Sequence, residues 1–161
     1  AQNILISLTK DSATSRLTLQ IKDDGIGMDE EMAYKVQDPF FSTKTGKKVG
    51  LGIPLLKGTA ETTGGSFRLT SRVGEGTEIY VSFDLYHPDL PPLGNLKDTI
   101  LVLAIGNPDT DFMFRITSDG NEFVLDTREV KNLLDGIPIN NPEVITFLTK
   151  YLDENMKIFI D

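Results

Sequence analysis

Cysteine and tryptophan are absent from this chain, and histidine occurs once, as His87. Without cysteine there is no disulfide and no thiolate metal site. A lone histidine cannot build a multi-histidine metal centre. No apolar run approaches the roughly 20 residues that a membrane-spanning helix needs. The chain also does not open with a basic segment followed by an apolar stretch, as a secretory leader would. Basic charge is scarce: 16 lysines and arginines stand against 24 acidic residues, for a formal net charge of −8. Such a chain repels a phosphate backbone on average, which argues against nucleic acid as the main partner. Together these absences favour a cytoplasmic protein with no nucleic-acid partner and no membrane insertion.

What is present suits a globular domain. The 161 residues are 39% hydrophobic and 25% charged, and a compact chain of this size buries about 68–70% of the surface it exposes when unfolded. Ile4, Ile6 and Leu8 alternate, as do Leu17, Leu19 and Ile21. This predicts an opening antiparallel hairpin. The second strand runs into Asp23-Asp24-Gly25-Ile26-Gly27-Met28, and a short helix is expected from Asp29 to Val36. Asp38 to Gly52 has no clean period and reads as a long loop, a class that is usually functional or disordered. Ile53 to Thr62 reads as a helix with Leu55, Leu56 and Ala60 inward, ended by Gly64-Gly65. Ser66 to Ser71 and Glu78 to Leu85 read as strands joined by a turn over Val73 to Thr77.

Prolines cluster between His87 and Pro92, which places a boundary there. Residues 1–88 are expected to form one domain and residues 89–161 an extension. In the extension, Leu96 to Ile105 is an apolar run that fits a helix or a strand, its length favouring the helix. Phe112 to Thr117 and Glu122 to Leu125 read as a hairpin about Ser118-Asp119-Gly120-Asn121. Thr127 to Leu134 and Pro142 to Asn155 read as helices, the first capped by Asp126 or Thr127.

Three stretches have the chemistry of a nucleotide site. Asp23 ends a strand just before glycines, where a carboxylate can accept a hydrogen bond from an adenine amino group; the competing reading is a plain acidic turn. Gly46-Lys47-Lys48-Val49-Gly50-Leu51-Gly52 leads into a helix, whose first amides and positive dipole end suit an anion. It is neither a Walker A loop nor a dinucleotide fingerprint, and the competing reading is a glycine hinge. Asp38-Pro39-Phe40-Phe41-Ser42-Thr43-Lys44 sets two aromatics beside a proline. These could anchor a lid, and Phe40 is expected to pack into the core whatever the function.

Taken in order, DDGIGM, DPFFSTK, GLG, GGSF and GEGT resemble the ATP-binding domain shared by sensor histidine kinases, type II topoisomerases, mismatch-repair ATPases and heat-shock chaperones (the GHKL ATPases). DPFFSTK is closest to the sensor-kinase branch. The whole chain is also similar to small stand-alone ATP-binding proteins of anaerobic bacteria, through GNPD, the stretch from Glu122 to Glu129, and NNPEV. The resemblance implies a two-layer α/β sandwich with a mixed sheet and helices on one face, followed here by a small α/β extension. It implies ATP and magnesium as ligands. Asp23 would contact adenine, and Gly25, Gly27 and Met28 would line the base pocket. Pro39, Phe40 and Phe41 would belong to the lid, and Thr77 would sit near the base. Gly50, Leu51 and Gly52 would lie by the phosphates, with Lys44, Lys47 or Lys48 touching them.

The family also has an upstream helix with a magnesium-holding asparagine and, one turn earlier, an acid that often serves as general base. Here Ala1-Gln2-Asn3 enters a strand at once, so Asn3 is the candidate metal ligand and the acid has no counterpart. A fragment, an omitted stretch and a true lack of the helix all fit this, the first two being favoured. The expected function is an ATP-binding regulatory domain with kinase or slow ATPase chemistry on or for a protein partner. The alternative is a nucleotide-sensing interaction protein without catalysis. A kinase acting on a small antagonist protein ranks below both.

Overall fold

The computed structural model describes residues 1–41 and 50–159. Strands β1 (Asn3–Asp11) and β2 (Arg16–Asp23) form the opening hairpin, followed by α1 (Glu30–Lys35) and α2 (Gly52–Thr62). Strands β3 (Ser66–Arg72) and β4 (Gly76–Asp84) make the second hairpin. Then come α3 (Leu96–Gly106), β5 (Asp111–Ser118), β6 (Asn121–Asp126), α4 (Thr127–Leu134) and α5 (Pro142–Asn155), with a final 3-10 turn at Lys157–Phe159. All the strands join one six-stranded sheet in the order β3-β4-β2-β1-β5-β6. It is mixed: β1 and β5 run parallel, and the other pairings are antiparallel.

Register explains the layering. Leu8 pairs with Leu19, Leu19 with Val81, and Val81 with Phe67, while Leu8 also neighbours Ile116, which pairs with Phe123. Paired residues share a face, so one side of the sheet carries an apolar row across all six strands. The opposite face carries Gln20, Glu78, Tyr80, Arg68 and Arg115, with the Arg68 guanidinium 5.1 Å from the centre of the Tyr80 ring. The alternation in the sequence is the direct cause: one face packs and the other is polar.

The helices cover the apolar face. Ala60 of α2, Ile100 and Ala104 of α3, and Leu152 of α5 belong to the same buried cluster as Val81 and Phe114. The core thus runs through both the first 88 residues and the extension. A smaller cluster of Ile139, Val144 and Leu148 sits under α4 and α5. Full burial of a side chain such as Leu152, with no exposed surface, contributes about 1.5–3 kcal/mol.

Local chemistry sets the ends of the elements. Asp29, Asn95, Asp126 and Asn141 cap α1, α3, α4 and α5, each accepting a backbone N–H from the first turn. Helix α2 ends with Gly64 at φ +70° and the Gly65 N–H donating to Ala60 O at 2.9 Å, which satisfies an orphan carbonyl. Asp119 and Gly120, both at positive φ, form the tight β5–β6 turn. The Asp119 carboxylate accepts the Ser12 N–H and hydroxyl, tying that turn to the opening hairpin.

Two packing expectations are corrected. Leu55 is 63% exposed, so the inward face of α2 runs through Leu56 and Ala60 instead. Phe40 is 90% exposed and does not pack into the core. Thr77 belongs to β4, and the turn is confined to the residues before it.

Candidate nucleotide site at the end of the central strands

The apolar row gives way to polar residues at one end of the helix-covered face. Ile4 of β1 pairs with Asp23 of β2, Asp23 with Thr77 of β4, and Thr77 with Ser71 of β3. Residues from four strands therefore meet in one line. Phe112 of β5 continues it on the far side of Ile4.

Asp23 is half-buried, and its Oδ1 accepts the Gly25 N–H at 2.8 Å. This bond orients the carboxylate and leaves Oδ2 without a donor among the described residues. Ser71 organises the neighbouring position. Its Oγ accepts the Met28 N–H at 2.8 Å and lies 3.0 Å from Gly76 O and 2.8 Å from Thr77 Oγ1. A serine hydroxyl has one proton. With that proton on Gly76 O, the Thr77 hydroxyl donates to Ser71 and keeps its own oxygen as an acceptor.

The loop after Asp23 is clamped to the β3–β4 turn. Gly74 N–H donates to Ile26 O at 2.7 Å. Gly27 has φ +67°, and a Cβ there would lie 1.8 Å from Arg72 O. Gly76 has φ +100°, and a Cβ there would lie 2.0 Å from Asp23 O. Gly27 and Gly76 are thus required by the approach of two backbones, a demand independent of any ligand.

Two cavities flank the end of β2 and share Lys22, Asp23 and Glu75. One, of about 260 Å³, reaches across Asn3, Ile4 and Asp24 to Asp111, Phe112, Met113 and Arg128 of the extension. The other, of about 280 Å³, is lined by Thr70, Ser71, Arg72, Gly76, Thr77 and Glu78. Ligand pockets usually start near 300 Å³, so either suits a base-sized group better than a whole nucleoside triphosphate.

Asn3 stands at the mouth. Its Nδ2 donates to Asp24 Oδ2 at 2.8 Å, while the backbone N–H groups of Asn3 and Gln2 donate to Asp24 Oδ1 at 2.9 and 2.8 Å. These bonds, the Asn3 amide first, hold the Asp24 carboxyl down at about 2. From the other side, Asp111 N–H donates to Gln2 O at 2.8 Å. The start of β1 thus bridges the Asp23 loop and the extension. Among the described residues, no group of three or more histidines or acids converges on a metal position.

The structure brings Asp23, Gly25, Gly27, Met28 and Thr77 into this one place. Gly50, Leu51 and Gly52 lie at the start of α2, all exposed, and a Cβ on either glycine would meet nothing within 4 Å. Leu51 caps α2 without a side-chain hydrogen bond, so first-turn amides remain available to an anion. Pro39 and Leu51 line a cavity of about 420 Å³ between the segment at Gln37 and α2, where Lys57 Nζ donates to Gln37 Oε1 at 3.1 Å. Lys44, Lys47 and Lys48 lie outside the described residues. Ser71 and Asp24 escaped the sequence reading. Ser71 was legible only through strand register, and Asp24 only as the second acid of its pair.

The first half of the chain is similar to known proteins. The family model for histidine kinase-, DNA gyrase B-, and HSP90-like ATPases matches residues 1–87. The sensor kinase CckA of Brucella abortus is 35% identical over 75 residues, covering 46% of this chain and 8% of its own length. The sensor histidine kinase AruS of Pseudomonas aeruginosa is 34% identical over 85 residues, covering 48% of this chain and again 8% of its own length. The chain therefore spans a small part of these relatives. Among solved structures, the catalytic domain of the histidine kinase ThkA aligns with a TM-score of 0.39 at 24% identity, covering 50% of this chain and 53% of that one. The match over residues 1–87, more than half of the molecule, shows that the chain belongs to the histidine kinase-, DNA gyrase B-, and HSP90-like ATPase family.

Proposed function

We propose that this chain binds ATP, with the adenine edge on Asp23 Oδ2, the Thr77 hydroxyl beside it, and the phosphates reaching toward the first turn of α2. The observation that carries the proposal is the orientation of Asp23. One oxygen is held by Gly25 N–H at 2.8 Å, the other has no donor among the described residues, and strand register sets this carboxylate beside Thr77, with Ser71 next in line. Adenine carries an amino donor at its 6 position, where guanine carries a carbonyl oxygen that would meet the carboxylate acceptor to acceptor, so a base read at that position is adenine. Gly50, Leu51 and Gly52 supply backbone for the phosphates, with Phe40, Lys44, Lys47 and Lys48 as further candidate contacts.

For magnesium the candidate side chain is Asn3: its amide nitrogen is donated to Asp24, which leaves its carbonyl oxygen as an acceptor. An ion bound with the nucleotide would offset phosphate charge. The chain's own residues bind and orient the nucleotide, and we propose kinase or slow ATPase chemistry on or for a protein partner. His87 is a poor internal acceptor: it sits in the turn after β4, and its Nδ1 accepts the Asp89 N–H at 3.1 Å. The relatives named sensor kinases support kinase chemistry in this reading. Residues 1–88 form the ATP-binding part in this reading, and residues 89–161 complete its sheet. A cytoplasmic location agrees with a nucleotide ligand.

Calorimetric titration of the whole chain with ATP and with GTP in magnesium tests the proposal. ATP is expected to bind at least about tenfold more tightly, the value of one good hydrogen bond to a charged group. Equal affinities would remove the base-reading role.

A further inference from the structure

Strand β6 ends the sheet, with no strand beyond it among the described residues. A groove of about 170 Å³ runs beside it, lined by Val124, Leu125 and Asp126. Val124, Leu125 and Asp126 are the last residues of this outermost strand, whose outer backbone groups have no strand partner among the described residues. Its far wall is apolar and comes from the helices: Leu133 of α4, with Phe147 and Tyr151 of α5. Leu133 is 86% exposed, Phe147 62% and Val124 39%. The rings of Phe147 and Tyr151 stack with centroids 6.3 Å apart, so the wall is preformed.

We propose that this groove receives an extended, basic-flanked apolar segment of a partner protein, which adds to β6 as a seventh strand. The open strand edge selects an extended main chain, and the apolar wall selects apolar side chains at alternate positions. Charge selects the rest. Asp126 and Glu129 are the charged groups lining the groove. Asp126 is held by Arg128 through two near-parallel bonds, which leaves Glu129 to meet a cation. Glu122 on the same strand has only a 4.0 Å approach from Arg115. A second copy of this chain is the wrong occupant, because a symmetric pairing would bring the acids of one β6 close to those of the other in a chain of net charge −8.

The probe is a synthetic nonapeptide of alternating valine and threonine with a lysine at each end, titrated into the whole isotope-labelled chain and followed by NMR. Three companions accompany it: a glutamate-ended version, a version N-methylated at alternate residues, and a sedimentation series of the chain alone. The expected result is a shift of amide signals from Asn121 to Asp126, with roughly threefold weaker binding of the acidic peptide and loss of binding on N-methylation. Phe147→Ser and Leu133→Asn, both at exposed positions, should keep the melting temperature and weaken the peptide roughly tenfold. No binding at millimolar peptide, equal binding of the acidic or N-methylated peptides, or a dimer of the chain abolished by Phe147→Ser would each overturn the proposal.

Discussion

Asn3 and Asp24 hold each other across the mouth of the site, side chain to side chain at 2.8 Å and backbone to side chain at 2.9 Å. The Asp24 carboxyl is thereby lowered from 3.8 to about 2. A carboxyl depressed in the folded state contributes stability that is present above its unfolded value and lost as pH falls through its folded one. The difference in melting temperature between wild type and Asp24→Asn should therefore be constant above pH of about 4 and shrink as pH falls toward about 2. Parallel melting curves across that range check it, and a gap that widens on acidification would contradict it.

Gly27→Ala and Gly76→Ala should each lower stability by about 2 kcal/mol or more. Each combines a positive φ with a backbone clash. Gly50→Ala and Gly52→Ala meet nothing within 4 Å and should leave stability unchanged or slightly raised. If the phosphates approach the backbone at Gly52, Gly52→Ala weakens ATP binding while the protein melts normally. Denaturant unfolding with ATP titration separates the two classes.

Ser71→Ala removes the acceptor of the Met28 N–H and the partner of Thr77. An unsatisfied, partly buried donor costs about 1–3 kcal/mol. The Asp23 loop should loosen, which faster hydrogen exchange at Met28 would register. Ser71→Thr keeps the hydroxyl and should restore most of the protection.

Leu152 lies in the extension yet shares its core cluster with Val81 and Phe83 of β4. Leu152→Ala should cost about 2–5 kcal/mol and move one common transition. Amide signals from β3 and from α5, followed during unfolding, should vanish together. Separate transitions would mean that the extension melts independently.

Much of this was legible in the sequence, and the exceptions have physical causes. Alternation at Ile4 to Leu8 and Leu17 to Ile21 gave the strands because one face of the sheet is packed and the other is polar. Leu96 to Ile105 was readable as a helix because its apolar run is too long for a usual strand. The place of β5 was not legible. A parallel pairing between Leu8 and Ile116 leaves no turn signal, since the partners are far apart in sequence. The place of Asp23 at a strand end was readable from the glycines after it. Ser71 was hidden because a serine in a strand means nothing until register sets it beside Thr77. Phe40 misled because an aromatic beside a proline is as often a packing residue as an exposed one.

The most direct measurement is calorimetric titration of ATP into wild type and Asp23→Asn. Aspartate has an oxygen for Gly25 N–H and another for the base, whereas asparagine has one acceptor oxygen for both donors. Affinity should fall at least about tenfold with little change in melting temperature. Equal affinity in a folded variant would contradict the assignment of Asp23 to the base.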